Sequence, residues 1–299
     1  MSTKKKVLEN SFFYIFSSLL VKAMGFLLLP IYTLFLTPDD YGVTNLVMGF
    51  INVATFIVAF SLYSAVIRFY TDYKDNRRKL KRLYGTVISF VFISGIISLI
   101  IGLVFRNVVI SIFFEGIEFY PIVFIAFLSL IFISLYTLHQ SMLQGMQQGK
   151  KLTKLNLTVF TATTALKIIF IGAFKLGAVG FLLAQLIINI FYFAYILVDL
   201  KKSDLVEWTI DLSIPLMPHN MSTRIASLTS RIFINTSRTL ADVGLYSVAM
   251  QFGNLIDVVQ VAVAKAFEPW FYEMMNKNDE KSKKEAVNLS NVLLVFYSL

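Results

Sequence analysis

The chain has 299 residues, of which 57% are hydrophobic, 15% are charged and 29 are phenylalanine. This composition excludes an ordinary soluble domain, because so few charged residues could not cover so much apolar side chain. The chain has no cysteine and two histidines far apart in sequence, so we predict no disulfide, metal or cofactor. The net charge of +9 would suggest nucleic-acid binding in a soluble protein, but in this chain the location of the charges along the sequence matters more.

Apolar runs long enough to cross a bilayer as helices recur along the whole chain. They predict an all-α polytopic membrane protein with eight complete spans and part of a ninth. The first run follows Lys4, Lys5 and Lys6 but is too long for a cleaved signal peptide. Because the last run, NVLLVFYSL, reaches residue 299 in mid-span, we expect a fragment of a longer protein with 12 or 14 spans. We place the spans at 8–36, 41–70, 83–105, 119–144, 154–174, 178–199, 213–237, 242–273 and 286–299.

Lysine and arginine are distributed unevenly between alternate loops. With the N-terminus inside, the inner segments carry 18 of these cations, whereas the outer segments carry only Arg106, Lys175 and Arg238. Inner loops of membrane proteins carry the excess of positive charge. We therefore predict a multi-pass protein of the cell membrane with a cytoplasmic N-terminus.

The chain also matches itself at an offset of 202 residues. Thr37, Asp40, Gly42, Met48, Phe50 and Asn52 match Thr239, Asp242, Gly244, Met250, Phe252 and Asn254. This predicts a duplication of six spans, and an even number of spans gives a parallel repeat. We predict an N-terminal six-helix lobe over residues 1–205, and an incomplete second lobe over 206–299.

Polar residues form stripes on several predicted spans. On span seven, a spacing of three or four residues confines the stripe to an arc of about 80°. Ionisable groups within a membrane face a bundle interior or a water-filled cavity, so we predict a hydrated central cavity. The span-seven stripe comprises Asn220, Arg224, Ser227, Arg231, Asn235 and Arg238, and span five contributes Asn156, Thr163, Thr164 and Lys167.

Positive charge dominates this predicted cavity, which favours an anionic ligand. As substrate-binding cations we predict Lys22, Lys167, Arg224 and Arg231, and as polar lining Asn52, Asn220, Ser227, Asn235 and Asn254. Asp257 and Lys265 are candidates for ion coupling, although a salt bridge between Asp257 and a neighbouring cation is the alternative. The Ser, Thr and Asn positions could also serve only to hold helices together by hydrogen bonds.

Two stretches resemble a known family. They are LLLPIYTLFLTPDDYGVTNLVMGFINV, and the segment that includes Asp242-Val243-Gly244-Leu245-Tyr246-Ser247-Val248-Ala249. Both resemble bacterial polysaccharide exporters, the oligosaccharide flippases of the multidrug/oligosaccharidyl-lipid/polysaccharide superfamily. The resemblance implies two six-helix lobes in a V, and alternating access that moves a polyprenyl-diphosphate-linked oligosaccharide from the inner to the outer leaflet. It also implies a cationic cavity that binds the diphosphate. By their positions, Lys22, Arg224 and Arg231 are the residues that we expect to bind it.

The expected partners are the lipid-linked oligosaccharide, the bilayer, and the polymerase and glycosyltransferases of polysaccharide synthesis. The main alternative is a multidrug antiporter of the same superfamily, which would need an acidic or aromatic cavity for cationic drugs. A membrane enzyme would need a large extramembrane loop or clustered carboxylates, which the sequence lacks. We therefore predict a transporter and not an enzyme, and only a conductance recording would separate it from a channel.

Overall fold

The structure is a computed structural model that describes residues 13, 16, 19–21, 23–60, 62–73, 76–206, 233–236 and 239–251, and scattered positions between 280 and 291. Every regular element in these ranges is a helix. The helices are α1 Leu29–Phe35, α2 Pro38–Val58, α3 Leu62–Tyr73, α4 Arg77–Val104, α5 Arg106–Phe113, α6 Phe124–Gly145, α7 Gly149–Ile168 and α8 Gly177–Ser203. One π-helical turn, Phe119–Val123, leads into α6, and a second, Ile169–Ala173, follows α7. Residues 240–251 form a further helix.

Five helical segments are long and apolar enough to cross a membrane. They are Pro38–Val58, Arg77–Val104, Phe119–Gly145, Gly149–Ala173 and Gly177–Ser203, and a shorter apolar helix, Leu19–Phe35, precedes them. This confirms the predicted all-α polytopic membrane protein. Most of the predicted spans seven to nine lie outside the described residues, so the lobe boundary near residue 205 stays a prediction.

The second predicted span is not continuous. We expected one helix over 41–70, but α2 ends at Val58 and α3 begins at Leu62. Phe60 between them has a φ of +46°, a left-handed conformation that ends a right-handed helix. The Tyr63 hydroxyl donates to the Thr55 carbonyl at 3.2 Å, in addition to the Ala59 amide, and so links the start of α3 to the last turn of α2.

The third predicted span begins earlier than the hydropathy indicated. Its helix, α4, starts at Arg77 instead of residue 83, because the Asn76 side chain accepts a hydrogen bond from the Lys79 amide and caps the helix. The basic residues of this segment therefore form the first turns of α4. After α4, the short helix α5 occupies a stretch that we had predicted to be an outer loop.

Helix α6 forms the centre of the bundle and packs against α2, α3, α4 and α8. Its approach to α4 is close because α4 presents glycines at the contact: a Cβ added at Gly102 would lie 2.7 Å from the Phe127 ring. Phe127 in turn packs on Phe50 of α2, with ring centroids 5.4 Å apart. Small residues that let backbones approach are typical of helix contacts in membranes, where dispersion forces replace hydrophobic burial.

The bundle has two ends that differ in charge. We call the end near residues 73–77, 145–149 and 203–206 the basic end, and the end near residues 36–37, 105–118 and 174–177 the opposite end. At the basic end, Asp204 pairs with Lys81 and with Arg77. The hydrogen bond from the Lys81 ammonium holds the pKa of Asp204 below its ordinary value.

A second polar cluster at the basic end is partly buried, with His139 buried and with Lys151 and Asp199 half-buried. The Lys151 ammonium lies 2.6 Å and 2.7 Å from the two carboxylate oxygens of Asp199, and the Nε2 atom of His139 lies 3.4 Å from the same carboxylate. The other ring nitrogen of His139 lies 2.8 Å from the Tyr192 hydroxyl. This cluster joins α6, α7 and α8, with His139 only 1% exposed.

At the opposite end, α2 and the helix 240–251 begin with the same capping hydrogen bonds. The Thr37 hydroxyl donates to Asp40 at 2.9 Å, and the Thr239 hydroxyl donates to Asp242 at 2.8 Å. These two helix starts also touch: a Cβ added at Gly42 would collide with the Leu240 carbonyl oxygen, and one at Gly244 with the Pro38 carbonyl oxygen.

Removal of the half-buried Asp199 carboxylate should destabilise the bundle. In Asp199→Asn, Lys151 and His139 lose their anionic partner, and we expect a loss of about 1–3 kcal/mol in the free energy of unfolding. Thermal unfolding of the detergent-purified protein measures this loss. The matched control is Asp204→Asn, which removes an exposed carboxylate that pairs with Lys81 at the same end. This change should lower the melting temperature much less. Equal effects of the two changes would contradict the structural role of the partly buried cluster.

Candidate functional site

A cavity of about 520 Å³ lies among the helices of the N-terminal half. Its wall is formed by residues before α1, by α1, α2, α6, α7 and α8, and by the end of the helix 240–251. This volume is typical of small-molecule and sugar-sized sites. The cavity therefore has room for part of a ligand that several helices contact at once.

The lining of the cavity is rich in amides, hydroxyls and aromatic rings. The Tyr136 hydroxyl donates to the Asn156 side-chain carbonyl at 2.9 Å, and the Tyr41 hydroxyl lies 3.3 Å from the Gln251 side-chain oxygen. The lining residues are Val21, Gly25, Tyr32, Tyr41, Thr44, Asn45, Met48, Tyr136, Asn156, Val159, Phe160, Thr163, Thr164, Lys167, Phe181, Gln185, Asn189 and Gln251. None of these described lining residues is acidic.

Lys167 is the charged residue of this described wall. Its side chain is only 8% exposed, and its ammonium lies 3.7 Å from the centroid of the Phe181 ring. Such a position over an aromatic face stabilises a cation through the ring quadrupole. In the described part of the chain, no carboxylate lies within 4 Å of this ammonium, so a buried positive charge faces a polar cavity without an acidic partner there.

Thr163 lies one helical turn before Lys167 on the same face of α7. It is 6% exposed, and its hydroxyl is buried without a hydrogen-bond partner among the described residues. A buried polar atom without a partner is uncommon in native proteins and calls for an explanation such as a bound ligand or water. Thr163 and Lys167 thus place two unsatisfied polar groups side by side in the wall.

The stripe predicted on span five lies in the cavity wall. Asn156, Thr163, Thr164 and Lys167 all line the cavity, as their spacing on one helix face indicated. Other predicted residues lie elsewhere. Asn52 is exposed on α2 and is not part of this wall, and Asn235 donates its side-chain amide to the Glu115 carbonyl at 2.8 Å, near the opposite end. Lys22, Asn220, Arg224, Ser227, Arg231, Asn254, Asp257 and Lys265 lie outside the described residues.

Several lining residues escaped the sequence reasoning. They include Tyr136 on α6, and Gln185 and Asn189, which lie one turn apart on the strongly apolar α8. Asn189 could have been noticed, because a buried amide in the middle of a membrane helix usually has a partner or a function. It is 1% exposed, and its amide donates to the Gln185 carbonyl at 2.7 Å.

The chemistry of this wall suits a ligand with hydroxyl groups and negative charge. Amides and hydroxyls can donate to and accept from sugar hydroxyls, rings can pack on sugar faces, and the ammonium can bind an anionic oxygen. Among the described residues, no group of three His, Asp or Glu side chains could hold a metal ion.

Comparisons with known proteins identify the family of this chain. A family model described as polysaccharide biosynthesis protein matches residues 7–275. The chain is 23% identical over 285 residues to "Lsg locus putative protein 1" from Haemophilus influenzae, an alignment that covers 91% of this chain and 67% of that protein. No solved structure matches the chain. The chain is thus a multi-pass membrane protein and belongs to the polysaccharide biosynthesis protein family.

Proposed function

We propose that this protein is a flippase for a lipid-linked oligosaccharide. In this proposal, a sugar chain on polyprenyl diphosphate enters the cavity from the cytoplasmic leaflet and leaves to the outer leaflet, for synthesis of a cell-surface polysaccharide. The observation that carries the proposal is the cavity itself, with a buried Lys167 in a wall of amides, hydroxyls and rings. In this proposal the protein acts as a transporter and not as an enzyme.

The charge of the wall distinguishes this proposal from its main rival. A multidrug antiporter binds cationic compounds, and a buried ammonium beside the ligand would repel them. An anionic, hydroxyl-rich ligand is attracted by the same ammonium. The rings of Tyr32, Phe160 and Phe181 suit either class of ligand, so the charge and the amides carry the distinction.

The contact at the opposite end supports alternating access. Gly42 contacts Leu240, and Gly244 contacts Pro38. At the offset of 202 residues Gly42 corresponds to Gly244 and Pro38 to Leu240, so the two contacts are equivalent with the two copies interchanged. Reciprocal contacts of this kind are those that a two-fold axis generates between two copies of one unit. In this proposal the two predicted repeats touch where the second helix of each repeat begins, and separation at this point would open the cavity to that side.

The remaining parts of the proposal rest on the family and the sequence. Lys22, Arg224 and Arg231 would hold the diphosphate, and Asp257 with Lys265 would couple transport to an ion. The basic end would face the cytoplasm, as the distribution of lysine and arginine predicts. Glycosyltransferases and a polymerase would supply and consume the lipid-linked sugar.

Ligand binding tests the proposed class of substrate. We expect a polyprenyl diphosphate carrying a short sugar chain to raise the melting temperature of the detergent-purified protein, expressed at the full length of its gene, and a lipophilic cation not to do so. Arg224→Ala should reduce this stabilisation, because it removes a proposed phosphate ligand, whereas the exposed Arg106→Ala should not. Stabilisation by the lipophilic cation alone would move the protein to the antiporter class.

The glycine contact tests the mechanism. In Gly42→Val, the new side chain collides with Leu240, so we expect transport of a fluorescent lipid-linked oligosaccharide into proteoliposomes to fall about tenfold or more, with ligand binding retained. The control is Gly172→Ala, whose new Cβ would meet only the Phe35 ring at an ordinary 3.5 Å. Wild-type transport by Gly42→Val would show that the contact takes no part in the cycle.

A further inference from the structure

We propose that Lys167 and Thr163 form a subsite for a carboxylate on the sugar chain, so that the transported oligosaccharide is acidic. This inference rests on the proposed function, and it gives Lys167 a role different from that of the cations assigned to the diphosphate.

The depth of Lys167 separates it from the phosphate groups of an entering ligand. Lys167 lies 18 residues along α7 from Gly149 at the basic end, a rise of about 27 Å. The hydrocarbon core of a bilayer is about 30 Å thick. Before transport, a polyprenyl diphosphate in the basic-end leaflet keeps its tail in hydrocarbon and its phosphates at the headgroups, so in this first bound state the sugar chain is the part that extends toward Lys167.

The lower part of the wall has no charge to offer an anion. Asn156 lies about 16 Å nearer the basic end than Lys167 along the same helix, and its side-chain carbonyl accepts a hydrogen bond from the Tyr136 hydroxyl. This amide and this hydroxyl suit the neutral hydroxyls of sugar rings. The described wall therefore changes from neutral polar groups to a cation as it approaches the opposite end.

The upper part of the wall has two polar groups that the described protein does not satisfy. A buried ammonium without a counter-charge is costly, since burial removes its hydration. The cation–π contact with Phe181 compensates this cost only in part. The Thr163 hydroxyl beside it also has no partner in the described part of the chain. One anionic oxygen group that enters the cavity could accept from both groups and satisfy both requirements.

The number of charges favours a carboxylate over a phosphate ester. A phosphate monoester carries between one and two negative charges at neutral pH, and its three oxygens are best satisfied by several donors or an arginine fork. The described wall offers a single ammonium, and the Thr163 hydroxyl lies one helical turn from it among other hydroxyls of the same wall. A carboxylate carries one negative charge, so it matches the charge of this wall better than a phosphate ester does.

The test compares three soluble disaccharides on the detergent-purified protein, expressed at the full length of its gene. One ends in glucuronic acid, one in glucose and one in glucose 6-phosphate, and affinity is taken from the concentration dependence of the melting temperature. We expect the glucuronic acid compound to bind about tenfold or more tightly than the glucose compound, and more tightly than the phosphate compound.

Two substitutions then test whether Lys167 and Thr163 cause the preference for the acidic disaccharide. Lys167→Met keeps the length of the side chain and removes its charge, and it should abolish the preference for the acid without lowering the melting temperature of the free protein. Thr163→Val should reduce the preference by a smaller factor. The control is Lys175→Met, which removes an exposed lysine at the opposite end and should leave the preference unchanged.

Other outcomes overturn the inference. Equal affinity for the acid and neutral compounds, or a preference for the phosphate compound, would show that the subsite does not select a carboxylate. A melting temperature lowered by Lys167→Met with the acid preference intact would show a structural ion pair instead. Binding of sugar-free polyprenyl diphosphate is measured in parallel: if it persists while the acid preference is missing, only the subsite fails, and if it is missing as well, the flippase proposal fails.

Discussion

A positive charge buried at membrane depth is tolerated only where the protein replaces the water that the charge has lost. In this bundle the arrangement of helices meets that condition at Lys167. Helices α1, α2, α6, α7 and α8 together line a cavity rich in amides and hydroxyls, and beside it the Lys167 ammonium lies against the Phe181 ring. The outward surfaces, such as Ile97 and Ile100 on α4, are exposed and apolar, as contact with lipid requires.

The sequence predicted those parts of the fold that depend on a single helix. Hydropathy located spans three to six within about six residues, because a membrane helix satisfies its own backbone hydrogen bonds and needs only an apolar length. The same holds for the polar stripe on span five: spacing alone put Asn156, Thr163, Thr164 and Lys167 on one face, and all four line the cavity.

Features that depend on contacts between helices could not be predicted in this way. The left-handed Phe60, which divides the second span, has no helix-breaking proline or glycine beside it and is held by a bond from Tyr63 to Thr55. The cluster of His139, Lys151 and Asp199 joins residues up to 60 positions apart. Asn235 fits the spacing of a polar stripe, yet its amide binds the Glu115 backbone, because tertiary packing decides which polar residue meets which partner.

The distribution of strong contacts also bears on how such a bundle could move. The partly buried cluster of His139, Lys151 and Asp199 ties α6, α7 and α8 together at the basic end, and Asp40 ties α2 to α8 at the opposite end by accepting from the Ala178 amide at 3.0 Å. The helix 240–251 joins the start of α2 mainly by apolar packing around the fully buried Val243 and by the close glycine and carbonyl surfaces. The ion pair of Asp199 lies within the predicted first repeat, so rigid-body rocking of the predicted repeats would break packing at the joint and leave this ion pair in place.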